Sequence, residues 1–342
     1  LSNKNILITG ATGAIGREML RQLDTNHSLK GITVFARDSR HNRKYLKPYS
    51  RKIQIIHGDI RNKNEVLKAC KGQDMVIHLA AILPTYPGQI DQLAETTNFE
   101  GTDNVVSSLE EVAPKAFLLF SSSIAVYGDR LRNPNIRISD SLPDHKHDAY
   151  ARSKMKAEAR IQKSRMKWSI FRLAVIMGIG NHKLSEKMFE MPLQTSLEIA
   201  TIRDTARAFI HATEQLSQLE GKIFNLGGGP NCRITYQEFL SRAFQCYGLG
   251  MVDFPAFAFA RQNFHCGHYI DGDVLEEILH FQQDDIHAYF ERFRSSVPHI
   301  QRAFTTPFAG IVKKYLSRLS KPYKAYKTKD AERIRYFFGH TK

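Results

Sequence analysis

An open, doubly wound parallel α/β sheet followed by a smaller C-terminal lobe is the architecture this 342-residue sequence predicts. Three observations carry the prediction. Short β-branched runs alternate with helical stretches through the first half of the chain. Those runs are continuously apolar, as strands buried on both faces are. After Ile176 the rhythm changes, and irregular, aromatic-rich sequence takes over. Hydrophobic residues at 42% and charged residues at 24% exclude disordered, collagenous and coiled-coil classes.

Taken in order, strands are expected at residues 5–9, 32–36, 53–57, 75–79, 116–121 and 169–176. Helices are expected between them at 15–23, 62–69, 99–112 and 149–164. Residues 177–200 read as irregular and 203–216 as a helix. Residues 223–226 form a short strand before the turn Gly227-Gly228-Gly229-Pro230. Thr235 caps a helix reaching Tyr247, and Asp273 starts one reaching Leu279. The expected division is a sheet domain at 1–176, with 201–226 returning to it, lobe elements at 177–300 and a basic segment at 301–342.

That last segment carries a helical pattern. Phe304, Phe308, Ile311, Val312, Tyr315, Leu316 and Leu319 recur between a Thr306-Pro307 start and a Pro322 stop, with Lys313, Lys314, Arg318 and Lys321 on the polar face. The chain has 49 Lys+Arg against 34 Asp+Glu, and residues 310–342 hold ten of the former and two of the latter. More than half of the net charge of +15 therefore lies in this short segment. Such a helix either docks its apolar stripe on the body or a partner subunit, or lies on an anionic membrane surface. Nucleic-acid binding, suggested by Tyr323, Tyr326, Tyr336 and Phe337 among lysines, lacks any known module.

Other features exclude more than they assign. Cys70, Cys232, Cys246 and Cys266 form no C-x-x-C pair, which suits a reducing compartment. No apolar run approaches the ~18–20 residues a spanning helix needs. No leader-like run is seen from Leu1 onward, so a cytoplasmic location is expected, with 301–342 offering a peripheral membrane contact. His265-Cys266-Gly267-His268 is one short loop, which does not complete a tetrahedral metal site. Asp271-Gly272-Asp273 lacks calcium-loop spacing. No metal is expected.

Two motifs carry chemistry. Thr9-Gly10-Ala11-Thr12-Gly13-Ala14-Ile15-Gly16 directly follows the first strand and opens a helix. Gly10 permits the tight turn, Gly13 lets a pyrophosphate approach the backbone, and Gly16 allows close helix–strand packing. The helix N-terminus meets the negative charge. In Tyr150-Ala151-Arg152-Ser153-Lys154, Tyr150 and Lys154 share a helix face. A tyrosine of ordinary pKa, near ~10, is a poor base at neutral pH. A neighbouring ammonium and a cationic nicotinamide both favour its phenolate. Ser121-Ser122-Ser123, ending a strand, supplies hydroxyls that donate to a substrate oxygen.

The G-x-x-G-x-x-G spacing, the Tyr-x-x-x-Lys pair and the serine strand leading into Ile124-Ala125-Val126-Tyr127-Gly128 resemble the extended short-chain dehydrogenase/reductase family over residues 4–290. The resemblance implies a Rossmann-type domain, an NAD or NADP cofactor and a homodimer formed through helices 99–112 and 149–164. It implies Tyr150 as acid/base and as a cofactor-binding residue, Lys154 on the ribose hydroxyls and Ser123, with Ser122 as fallback, as hydroxyl donor. Asp59, followed by Ile60, matches the family's adenine-contacting aspartate. His78-Leu79-Ala80-Ala81 matches the segment lining ribose and pyrophosphate, with His78 as a wall residue. Asn98 matches a structural asparagine, and its residue context also reads as a helix N-cap.

The second strand ends Ala36-Arg37-Asp38, with Ala36 where an NAD enzyme of this kind places its ribose-binding acid. Arg37 suits a 2′-phosphate, and Arg40, Arg43 and Lys44 add positive charge. Asp38 would serve the hydroxyl only if the register slips, so NADP is favoured over NAD. Ile124 and Ala125 after Ser123 cannot move protons, which argues against dehydratase chemistry. The serine–tyrosine string resembles epimerases closely. Leu173 and Ala174 after Arg172 lack the proline and asparagine usual in sugar-nucleotide enzymes. Ala80-Ala81-Ile82-Leu83-Pro84 resembles reductases and hydroxysteroid-type dehydrogenases. Phe254, Phe257, Phe259, Phe264 and Tyr269 suit either an apolar small-molecule substrate or ordinary lobe core. The expected function is an NAD(P)-dependent oxidoreductase. The alternatives are a nucleotide-sugar epimerase with retained NAD, or a non-catalytic dinucleotide sensor or scaffold.

Overall fold

The computed structural model describes residues 4–82, 90–145, 148–179, 184–262 and 264–339. Twelve strands are found among them: β1 (Ile6–Thr9), β2 (Ile32–Ala36), β3 (Gln54–His57), β4 (Met75–His78), β5 (Phe117–Ser123), β6 (Asn135–Ile136), β7 (Lys167–Leu173), β8 (Val175–Met177), β9 (Ser196–Thr201), β10 (Lys222–Leu226), β11 (Arg233–Thr235) and β12 (His268–Tyr269). Seven of these form one sheet in the order β10-β7-β5-β4-β1-β2-β3, with every pairing parallel. The order reverses between β1 and β4, and at such a switch point the strand ends leave a crevice. The fold is thus a doubly wound Rossmann-type sheet, with a helical C-terminal lobe beside it.

Helices cover both faces of the sheet because each carries one apolar stripe. The helix Ala14–Thr25 buries Gly16, Met19, Leu20 and Leu23, and Ile202–Ala212 packs beside it through Ala206, Phe209 and Ala212. Lys63–Cys70, Gly101–Val112 and Ala149–Gln162 cover the opposite face through Val66, Val105, Leu109, Ala157 and Ile161. Each large side chain buried this way contributes on the order of 1.5–3 kcal/mol. Helix starts follow their caps: Asn62, Asp148, Thr201 and Thr235 each accept hydrogen bonds from first-turn amides.

Three expectations change. The strand expected at 169–176 breaks at Ala174, whose amide donates to Leu226 O, 2.9 Å. Beyond it β8 joins β9 and β11 in a separate three-stranded sheet. Within 177–200, expected to be irregular, β9 begins at Ser196 and a short 3-10 turn spans Glu186–Phe189. Buried Glu198 interrupts the apolar run that would have revealed β9. Its carboxylate accepts from Gly229 N, Tyr269 N and Arg233 Nε at 3.2, 3.0 and 3.0 Å. Burial pushes its pKa up despite these bonds.

The third change is in the basic segment, where Pro322 does not end the helical structure. Helices Ala309–Leu319, Lys321–Thr328 and Ala331–Phe338 follow one another, preceded by His299–Thr305 and a 3-10 turn at Thr306–Phe308. Pro322 lies in the first turn of its helix, where no amide partner is lost, and Ser320 caps that helix by accepting from Tyr323 N at 3.0 Å. The apolar series also divides. Val312, Leu316 and Leu319 pack on the lobe core, whereas Phe304, Phe308, Ile311 and Tyr315 stay 54–69% exposed. Among the described residues no helix is long and apolar enough to cross a membrane.

Candidate active site

The C-terminal ends of β1, β4 and β5 converge where the sheet order reverses. Thr9 ends β1, Gly10 follows with φ +72°, and the helix opens at Ala14. A Cβ on Gly10 would lie 2.6 Å from Ala80 N, and one on Gly16 2.4 Å from Ala11 Cα, so both positions are closed to any side chain. Gly13 differs: its nearest neighbour would be Gly10 O at 3.2 Å, leaving room on the ligand side. Gly13 is the N-cap, with no side chain bonding the first-turn amides and no acidic residue beside them. Open amides, a positive helix end and a bare backbone fit a dinucleotide pyrophosphate, with Thr12, Ala14 and Ile15 around it.

Beneath this cradle a chain of buried hydrogen bonds fixes the strand ends. Ala80 N donates to Thr9 Oγ1 at 3.3 Å, and Thr9 Oγ1 pairs with His78 Nδ1 at 2.6 Å. His78 Nε2 lies 3.0 Å from Thr102 Oγ1, which itself donates to Asn98 O at 2.6 Å. Thr102 has thus spent its proton, so His78 donates from Nε2 and accepts at Nδ1. Burial, followed by the nearby Lys154 charge, lowers the His78 pKa to about 3. His78 is therefore a neutral wall residue.

Asn98 is not a helix N-cap. It lies within a π-helical turn, Glu95–Glu100, that runs into Gly101–Val112. Its side chain accepts from Ile82 N at 2.8 Å and donates to Ile82 O at 3.1 Å and Ser153 Oγ at 3.2 Å. It thereby pins the segment after Leu79, Ala80 and Ala81 to the helix that carries Tyr150. Leu83 and Pro84 lie outside the described residues.

That helix, Ala149–Gln162, starts at Asp148, which accepts from Ala151 N at 2.9 Å. Its buried face runs through Tyr150, Ser153, Lys154, Ala157, Glu158 and Ile161. Tyr150 and Ser123 hydrogen-bond through their hydroxyls, and Ser123 also accepts from Ala125 N at 3.2 Å. Lys154 Nζ donates to Ser121 O at 2.7 Å and lies 6.0 Å from the Tyr150 ring centre. Burial pushes the Tyr150 pKa up to about 12, opposed by the Ser123 bond, while burial pushes Lys154 down to about 7. Burial of Tyr150 thus opposes the phenolate that the neighbouring ammonium and the nicotinamide together are expected to favour.

Ser122 is unsuited to the role of fallback donor. It is buried and its hydroxyl donates to Glu158 Oε1 at 2.5 Å. Glu158 accepts from Arg172 Nε and Nη2 at 3.0 and 2.7 Å, and Arg172 Nη1 donates to Tyr127 OH at 2.9 Å. Tyr127 OH donates to Asn225 Oδ1 at 2.8 Å, and Asn225 Nδ2 to Asp271 Oδ1 at 2.8 Å. This chain ties the active helix to the lobe. Sequence reading missed it, although Glu158 stands four residues beyond Lys154 on the same face.

After β3, Ile60 packs beneath Gly101, and the carboxylate of Asp59 is held by Arg61 at 2.6 and 3.0 Å. That pairing keeps its pKa low. Arg37 follows β2, exposed, with its carbonyl accepting from Asn42 Nδ2 at 2.9 Å. Asp38 faces Arg43, which binds both its oxygens. Arg40, Arg43, Lys44, Lys47 and His57 line a hollow of about 520 Å³ that shares no residue with the glycine loop or Tyr150.

The aromatic stretch of the lobe is mostly core. Phe254 and Phe259 pack on Phe189 with ring centres 5.1 and 5.0 Å away, and Phe257 stacks on Tyr326 at 4.1 Å. Tyr269 is buried against Tyr127. Phe264 stacks on His265, whose Nδ1 lies 3.6 Å from Asp148 Oδ2, so this part of the lobe reaches the start of the active helix.

Comparison with known proteins agrees with this geometry. A family model described as the NAD dependent epimerase/dehydratase family matches residues 6–227. A 3beta-hydroxysteroid-dehydrogenase/decarboxylase of Arabidopsis thaliana is 35% identical over 117 residues, 34% of this chain and 26% of that protein. A UDP-glucose 4-epimerase of Rickettsia bellii is 33% identical over 134 residues, 36% of this chain and 38% of that protein. The match thus spans well under half the length of either relative. Among solved structures, the dTDP-glucose 4,6-dehydratase DesIV of Streptomyces venezuelae, with NAD bound, superposes with a TM-score of 0.69 at 20% identity, covering 85% of this chain and 95% of that one. A short-chain dehydrogenase/reductase superfamily protein of Agrobacterium tumefaciens, also with NAD, gives 0.65 at 17% identity, covering 88% and 98%. With the glycine cradle and the Ser123–Tyr150–Lys154 group in place, the chain belongs to the NAD dependent epimerase/dehydratase family, enzymes of the extended short-chain dehydrogenase/reductase type.

Proposed function

We propose that this chain is an NAD(P)-dependent oxidoreductase interconverting a carbinol and a carbonyl, with Tyr150 as acid/base. The observation that carries the proposal is the hydroxyl pair of Tyr150 and Ser123, with Lys154 four residues on along the buried face of the same helix, in a sheet whose first strand runs into the glycine turn. When bound, the nicotinamide supplies or accepts the hydride. In carbonyl reduction, Tyr150 gives its proton to the substrate oxygen while Ser123 donates a hydrogen bond to it. In alcohol oxidation, Tyr150 takes the hydroxyl proton, which needs the phenolate. Lys154, four residues on, is the cation that favours that state once it is charged. Ile124 and Ala125 follow Ser123 as buried apolar residues, which leaves water elimination without an acid or base at that position.

Asp38 held by Arg43, with Arg37 exposed at the end of β2, supports NADP over NAD. A nucleotide-sugar epimerase is the second reading, supported by the epimerases among the relatives. A panel of aldehydes and ketones assayed by consumption of reduced nicotinamide, beside UDP-sugars assayed for C4 inversion, separates the two. Net carbonyl reduction lost in Tyr150→Phe supports the oxidoreductase. Sugar inversion without net oxidation overturns it.

A further inference from the structure

We propose that the outer face of residues 299–318 is a docking surface for a bilayer with anionic headgroups. Ile300, Phe304, Phe308, Ile311 and Tyr315 follow one another at spacings of four, four, three and four residues, so they form one ridge across the two helices and the 3-10 turn between them. They are 71, 69, 54, 69 and 60% exposed. Met251, 79% exposed, is tied to the same helix, its carbonyl accepting from Lys313 Nζ at 3.3 Å. A contiguous apolar ridge of this size marks an interaction site on a soluble surface. The ridge is not part of the core contact, because Val312, Leu316 and Leu319 on an adjoining face already hold the helix there.

Charge identifies the occupant. From Arg292 to Lys329 the sequence holds ten Lys/Arg and no Asp or Glu; Arg292, Lys313 and Lys321 pair with Asp284, Asp253 and Glu186 with Glu190, while others stay exposed. Lys314 and Arg318, four apart and exposed, follow the same helix as Ile311 and Tyr315. A second copy of the chain would bring the same positive charge against this face. An anionic bilayer surface satisfies both features: the apolar side chains enter the headgroup–acyl boundary, and the cations meet lipid phosphates. The contact is peripheral, since no described helix is long and apolar enough to cross a membrane.

The test is co-sedimentation of the full chain with vesicles of phosphatidylcholine and phosphatidylglycerol, beside vesicles of phosphatidylcholine alone. The chain is expected to sediment with the mixed vesicles and to be released as salt rises. Phe304→Glu with Ile311→Glu should lower the bound fraction at least about tenfold. Lys314→Glu with Arg318→Glu should lower it and flatten the salt dependence. All four side chains are exposed, so melting temperature reports intact folding in both variants. Sedimentation no greater than without vesicles, or equal and salt-independent with the neutral vesicles, would overturn the proposal. So would ridge variants that bind like the parent. Concentration-dependent dimerisation lost in the ridge variant, without vesicle binding, would assign the face to a second copy instead.

Discussion

The crevice end of the sheet and the C-terminal helices treat their side chains in opposite ways. Around the crevice, Thr9, His78, Asn98, Thr102, Ser121, Ser122 and Lys154 are polar, buried and hydrogen-bonded. Along residues 299–318, five large apolar side chains are exposed. Each region reverses the ordinary rule of apolar inside and polar outside. Where polar groups are held inside, the backbone is fixed for chemistry. Where apolar groups are held outside, the surface is prepared for contact. The first arrangement is expensive to disturb, and the second costs the fold almost nothing to lose.

The largest expected effect is chemical. Tyr150→Phe should lower turnover by about 10²–10⁴-fold, the range for losing a positioned acid/base, while the protein still binds nucleotide. Titration of the bound nucleotide separates this from unfolding. Asn98→Ala should come next, because it removes the partner of both polar groups of Ile82 and one of the two bonds of the Ser153 hydroxyl, which keeps its bond to Tyr150 O. A loss of ~2–4 kcal/mol in denaturant unfolding is expected.

His78 supplies a pH signature. The unfolded imidazole binds its proton near its ordinary value of 6.5, and the folded one only near about 3. Between those values the unfolded state holds more protons, so stability falls as pH drops through that window. A His78→Phe variant should be less stable at neutral pH, yet lose less on acidification between them. Unfolding midpoints across that range check both parts. Arg37→Ala should reduce the preference for NADPH over NADH by roughly 10–100-fold, as expected for losing a charged hydrogen bond. The smallest effect belongs to the other region: Phe304→Glu with Ile311→Glu should shift the melting point barely at all, since surface changes stay within about 0.5 kcal/mol.

The same contrast explains what was legible in the sequence. The glycine turn, the Tyr-x-x-x-Lys pair and the serine strand are local patterns, each forced by one turn or one helix face, and they could be read directly. The Glu158–Arg172–Tyr127–Asn225–Asp271 chain joins residues more than 100 positions apart and has no local mark. The helix Ala149–Gln162 even hides its buried face, because Tyr150, Ser153, Lys154 and Glu158 stand where apolar residues would ordinarily signal burial. Glu198 hides β9 in the same way. In the basic segment, helical spacing found the apolar series. It could not show which of them would pack: Phe304, Phe308 and Ile311 stay exposed while Leu316 is buried.

The most direct measurement is to denature freshly purified protein, identify any nucleotide it releases, and titrate the emptied protein with NADPH and NADH. An oxidoreductase with an exchangeable cofactor and Arg37 at the ribose should release none and bind NADPH more tightly. Stoichiometric NAD released on denaturation would contradict that assignment and place the chain with the epimerases.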